Sequence, residues 1–440
     1  MPHRARPRMR WITAAGAVLA TVAALVGGVN SGPAEAAVPP VRTQHVEYFP
    51  GPWAEPRQVT VPAGALGRTA RPTPTLAGTT PAVQALQRTG PVSGRLDLVV
   101  MGDGYTADEQ GEFAADAEEK LDAIFDVEPY RSYRGLFNIW LVNAVSNESG
   151  VSGDPRADTV KDTALGSSFF CDGTERLLCV DTDKVAQYAG RAPDADIVFV
   201  IANSAKYGGA GYSAADLPSG STFHGVATMS SDNDRSYLIG AHELGHSIGH
   251  LADEYQYTGY GTYPSAEEPA AANLTIHRDL GATKWYRWLG TQDPSGSVVG
   301  TYEGGGYYEA GVYRPTETSI MRSLASTEFN VVGREAMIAG FYADADALTS
   351  SLPTYRPIGQ GRRITVRLAP LTGLADLELT WYVDGRQVLP ATGDLSVTPR
   401  ELGVRGHGHE VTATVTDHTT AVRDPAVQAQ TTTSLTWTVR

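Results

Sequence analysis

The 440-residue chain holds only two cysteines, Cys171 and Cys179. That excludes a scaffold stapled by many disulfides, and two thiolates alone do not close a structural zinc site. Basic residues are scarce as well. Lys and Arg number 35 against 49 Asp and Glu, for a formal charge of −14. A surface of that sign repels phosphate backbones, so nucleic acid is not an expected partner. Apart from Trp11–Val29, no stretch is apolar for long enough to span a bilayer. The run Gly208-Gly209-Ala210-Gly211 lacks the Lys-Ser/Thr ending of a phosphate loop and reads as a turn.

What is present begins with a targeting signal. Arg4, Arg6, Arg8 and Arg10 precede the apolar run, and Ala34-Glu35-Ala36 comes after it as an A-x-A cleavage site. This predicts removal of residues 1–36, a mature chain starting near Ala37, export by the general secretory route, and no membrane span thereafter. In that oxidising setting Cys171 and Cys179 are expected to pair. Residues 37–93 are rich in Pro, Thr and Ala. They carry one strand-like piece, Gln58–Val61, behind the aromatic patch Tyr48, Phe49 and Trp53, and are expected to pack on the next domain.

Residues 94–352 alternate strands and helices, which predicts an α/β (α+β) domain with a mixed sheet. Leu96–Met101, Phe137–Val142, Ile197–Ala202 and Val226–Met229 read as strands. Thr106 with Glu109 forms a capping box for a helix to about Phe125. A long stretch, 256–318, is dense in Tyr and Gly, as recognition loops are. Another helical pattern covers Val332–Leu348. Residues 353–440 show short strands around Ile364, Leu377, Leu395, Val411 and Leu435, with an Asp384-Gly385 hairpin turn and a core Trp381. Their spacing predicts a small all-β immunoglobulin-like sandwich. Its histidines, His407, His409 and His418, read as turn and surface residues.

The chain is organised around Ile239–Tyr255, IGAHELGHSIGHLADEY. Ala241, Leu244, Ile248 and Leu251 recur at helical spacing and predict a buried stripe. His242 and His246 lie four apart on the other side, so both imidazoles can reach one cation, and Glu243 can hold a water beside it. A catalytic zinc needs a third protein ligand and an open position. Metzincins break the helix at a Gly, matched here by Gly249, and place a His three residues on, where this chain has Ala252. The remaining candidates are His250, Asp253 and Glu254. His250 lies too close to His246 to use the bend. Asp253 is favoured, then Glu254, and the unused acid could orient a ligand imidazole.

HELGHSIGHLADEY, with MGDGYT near 101, TALGSSF at 163, YGGAG at 207, YEGGGYYEAGVYRP at 302 and SIMR at 319, resembles the IgA-metallopeptidase family of zinc endopeptidases. The resemblance covers roughly residues 95–350. It implies a metzincin-like fold, Zn2+ as cofactor, Glu243 as catalytic base, Met321 as an apolar floor under the site, and a protein or peptide substrate. Tyr308, Tyr313 and Arg322 are candidates for holding an oxyanion. A secreted monomeric zinc endopeptidase is therefore expected. The rival is a catalytically silent adhesion or glycan-binding protein with a structural zinc.

Overall fold

Strands that are apolar at almost every position lie at the centre of an eight-stranded mixed sheet. The computed structural model describes residues 43–63, 82–279 and 281–440, and the expected signal segment lies outside them. The sheet is built from β1 (Thr43–Tyr48), β2 (Arg57–Pro62), β3 (Val83–Gln87), β4 (Leu96–Asp103), β5 (Phe137–Val142), β6 (Ile197–Ala202), β7 (Gly209–Ser213) and β8 (Gly225–Ser230). Its order is β2-β1-β7-β8-β6-β4-β5-β3. Neighbours among β8, β6, β4 and β5 are parallel, and every residue of these strands is buried, as both-sided burial requires. β7 runs antiparallel to β8, β1 to β7, and β2 to β1.

Alternation along β4 sorts its side chains to two faces. Leu98 and Val100 join one core with α1 (Gln110–Phe125) and the one-turn α2 (Tyr130–Tyr133). Val99 and Met101 join a second core with α3 (Thr182–Ala189) and the Cys171–Cys179 disulfide, which pairs as expected. α4 (Tyr237–Ser247) lies in the first core.

Two local expectations need correction. The Glu109 carboxylate makes the expected capping-box contact, accepting the Thr106 backbone N–H, but the regular α1 helix starts only at Gln110, after a turn closed by the Glu109 N–H on the Thr106 carbonyl. The glycine run is no turn. Gly209 to Gly211 belong to β7, because small residues let this strand pass close beneath the helix after β8.

Beyond α4, the Tyr- and Gly-rich stretch carries the hairpin β9 (Tyr302–Gly305) and β10 (Tyr308–Arg314), and α5 (Val331–Asp344) comes next. The C-terminal part contains β11 (Leu348–Ser350), β12 (Ile364–Leu368), β13 (Leu377–Val383), β14 (Arg386–Gln387), β15 (Ser396–Val397), β16 (His409–Asp417), α6 (Pro425–Gln430) and β17 (Thr432–Val439). These strands make two small antiparallel sheets, β11-β12-β15 and β14-β13-β16-β17. Asp384 and Gly385 turn β13 into β14 with φ of 49° and 77°. Trp381 and Trp437 are fully buried in this part, and the apolar core continues from them to α5 and α1 without a break. Among the described residues no helix is long and apolar enough to cross a membrane.

Candidate metal centre

α4 presents His242 and His246 one turn apart, with ring centroids 4.7 Å apart. The chain then bends. The left-handed residue at the bend is His250, with φ of 48°, rather than Gly249. Gly249 is needed for space, since a Cβ there would lie 2.5 Å from Met337 Sδ. The bend returns Asp253 to the imidazoles. Asp253 Oδ1 lies 3.3 Å from both Nε2 atoms.

Each ring points its other nitrogen at a backbone carbonyl, His242 Nδ1 at Ile320 (2.9 Å) and His246 Nδ1 at Leu251 (2.7 Å). A carbonyl only accepts, so Nδ1 carries the proton and Nε2 keeps a lone pair. The two Nε2 atoms then face one another at 3.0 Å. Two lone pairs so placed repel, and a shared cation relieves them.

A fourth group comes from β1, far before α4 in the chain. Glu47 puts Oε1 3.5 Å from His242 Nε2 and Oε2 3.4 Å from His246 Nε2. Glu47, His242, His246 and Asp253 thus offer four ligand atoms within 4.8 Å of one another. Tetrahedral zinc with bonds of about 2.0–2.1 Å has ligand–ligand edges of roughly 3.3–3.4 Å, so the donor set fits such an ion.

Without a metal, the acids around the rings draw a proton onto Nε2 in the cation's place. Burial works against charge on His242, but Glu47 and Asp253 outweigh it and lift the imidazole to about 10. His246 is likewise raised despite burial, chiefly by Asp253. Burial opposes ionisation of Asp253, yet the two imidazoles hold it below the usual carboxylate range. Glu243, beside the cluster, is raised to about 8 by burial and then by Glu47. Its Oε1 and Asp253 Oδ1 are buried without a hydrogen-bond donor.

The surroundings fix these groups. Tyr307 donates to Asp253 Oδ2 (2.7 Å), and Tyr255 donates to Glu47 Oε1 (2.9 Å). Met321 is buried under α4, its Sδ against Gly245. Glu254 stands apart from the cluster. Its carboxylate accepts from Ser319 Oγ (2.6 Å), Asn273 (3.0 Å) and Asn330 (2.9 Å). Its backbone N–H donates to the Met321 carbonyl at 2.8 Å.

The contact from Glu254 N–H to Met321 holds the Ser319–Met321 segment, whose Ile320 carbonyl orients His242. Glu254 therefore acts on the imidazole through the backbone. His250 is exposed and outside the cluster. Tyr308 packs on Tyr260 and Tyr263, Tyr313 is held in β10 against Thr275, and Arg322 bonds the Glu317 carbonyl, so none of the three expected oxyanion donors meets the cluster. Tyr255 does, through Glu47.

The chain matches the family described as IgA Peptidase M64 over residues 84–296 and 290–341. The chain belongs to that family. Membership makes it a metallopeptidase, and the cluster supplies a possible metal site for such an enzyme. His242, Glu243, His246, Asp253 and Met321 all lie within the matched residues of the M64 family, whereas Glu47 lies before them. No curated protein matches the chain significantly. Sequence reasoning missed Glu47 because its partners are set by sheet pairing between β1 and β7, which no local spacing records.

Proposed function

We propose that the chain is a secreted zinc-dependent endopeptidase. Residues 1–36 are its signal peptide, 37–93 a leading segment, 94–352 a metzincin-like catalytic domain, and 353–440 an immunoglobulin-like sandwich. His242, His246 and Asp253 hold the zinc. When bound, zinc supplies Lewis acidity and a water of low pKa. Glu243 takes the proton of the attacking water and passes it to the leaving nitrogen. Tyr255 donates its hydroxyl to the developing oxyanion, from the place where it now donates to Glu47. The aromatic chain that runs outward from Asp253 through Tyr307, Tyr257, Tyr260 and Tyr308 offers the substrate a wall. The Cys171–Cys179 bond fits an extracellular location.

The observation that carries this reading is the unpartnered Glu243 oxygen beside two imidazoles whose Nε2 atoms face each other at 3.0 Å. One observation favours the rival. Four protein groups around one point resemble a closed, structural zinc site. Cleavage of a peptide library, mapped by mass spectrometry, separates the two. It is read in the chain and in its Glu47→Ala variant, each with and without Glu243→Gln. Cleavage that Glu243→Gln lowers by at least about 100-fold, at unchanged zinc content, supports the peptidase. Absence of cleavage in both parents at one zinc per chain establishes the structural reading instead.

A further inference from the structure

We propose that β1 is an inhibitory strand, lying along β7 as an extended peptide ligand would, with Glu47 closing the coordination position that catalysis needs open. This rests on the peptidase reading above.

Three observations converge. First, β1 adds to the outer edge of β7 by antiparallel pairing, Val46 opposite Tyr212, Glu47 opposite Gly211 and Tyr48 opposite Ala210. This is the way an extended peptide docks on a free sheet edge, with backbone bonds for affinity and alternate side chains for fit. Gly211 is also the residue against which the Glu243 carboxylate packs, so the paired strand passes directly by the base. Second, the strand places two side chains on the centre itself. Glu47 is buried with its carboxylate on both imidazoles and on Tyr255. Two residues on, Phe49 is fully buried and meets the His242 ring edge-on at 5.5 Å. Third, the β1–β2 hairpin lies outside the residues matched to the family, whereas the other three cluster members lie inside them. Among the described residues, β2 pairs with β1 only.

The chemistry forces a choice. A catalytic zinc keeps one position open, and four protein ligands leave none. If His242, His246 and Asp253 suffice to hold the ion, Glu47 must leave for water and substrate to enter. The carboxylate on β1 then behaves like the carboxylate of a bound product, gripped by the cation and by the Tyr255 hydroxyl. Access to the centre is set by whether this strand is seated.

The test uses the full chain loaded with zinc, beside Glu47→Ala and Glu47→Gln. The probe is acetohydroxamic acid, small enough to enter once the carboxylate is gone, and its binding is followed by calorimetry. Zinc content and melting temperature are measured on the same samples. The expected result is retained zinc in both variants, with hydroxamate affinity at least tenfold higher in Glu47→Ala than in the parent and intermediate in Glu47→Gln. Adding Phe49→Ala to Glu47→Ala, which loosens the strand, raises peptide cleavage at least tenfold over the parent. Equal hydroxamate affinity in parent and variants overturns the proposal. So does loss of zinc from folded Glu47→Ala and Glu47→Gln, which makes Glu47 a permanent ligand. A folded parent that takes up no zinc refutes the underlying peptidase reading instead, and is thereby distinguished.

Discussion

At the scale of single residues, Gly211 illustrates how a missing side chain positions a carboxylate beside the candidate metal site. A Cβ on Gly211 would run into the Glu243 carboxylate. Gly211→Ala therefore displaces Glu243 while leaving the cation ligands in place. A displacement on the order of 1 Å costs about 100-fold in rate, so kcat/KM of the active form should fall by about that factor at constant zinc content. An unchanged rate would show that Glu243 does not work from this position. His242, His246 and Asp253 were legible as neighbours, because helical spacing and a bend are local properties of sequence. The role of Gly211 was not, because the crowding comes from a helix that lies elsewhere in the chain.

At the scale of elements, α4 and the Ser319–Met321 segment form one unit, and Glu254 joins them. Its buried carboxylate accepts from three side chains. Glu254→Ala leaves those donors unpaired, and should lower stability by about 3 kcal/mol or more in denaturant unfolding. It should also weaken zinc binding, because Ser319, next to the Ile320 carbonyl that orients His242, loses its carboxylate anchor while the backbone bond to Met321 remains; competition with a chelating dye measures this. Most strands were readable from apolar runs, and α4 and α5 from periodicity, whereas the short helices α2, α3 and α6 were not foreseen. β7 was not, because Gly209-Ala210-Gly211 carries the composition of a turn and pairs as a strand only where α4 demands a thin neighbour. The start of α1 was misplaced for a related reason. The Glu109 carboxylate does reach back to the Thr106 N–H, but the turn it closes lies before the regular helix.

At the scale of the whole molecule, Asp417 links the C-terminal sheets to α2 and α5, which pack in the core beside α4. This buried residue of β16 accepts from the hydroxyls of Tyr133 (2.8 Å) and Tyr342 (2.9 Å), and from the backbone of Asp376 (2.7 Å). Asp417→Ala strips the acceptor from two buried hydroxyls, and a loss of about 3 kcal/mol in unfolding free energy is expected with zinc content unchanged. The β-rich character of this part was legible from alternating strands and from the Asp384-Gly385 turn. Its shared core with α5 was not, since such contacts join distant parts of the chain. The same limit hid Glu47, and with it the fourth side of the candidate metal site. The most direct measurement is diffraction on either side of the zinc absorption edge, from crystals of the full chain grown with zinc. The account predicts one strong anomalous peak about 2.0–2.1 Å from both the His242 and His246 Nε2 atoms, with Asp253 as a further ligand. A well-ordered cluster with no peak between those nitrogens, or a peak elsewhere alone, would contradict it.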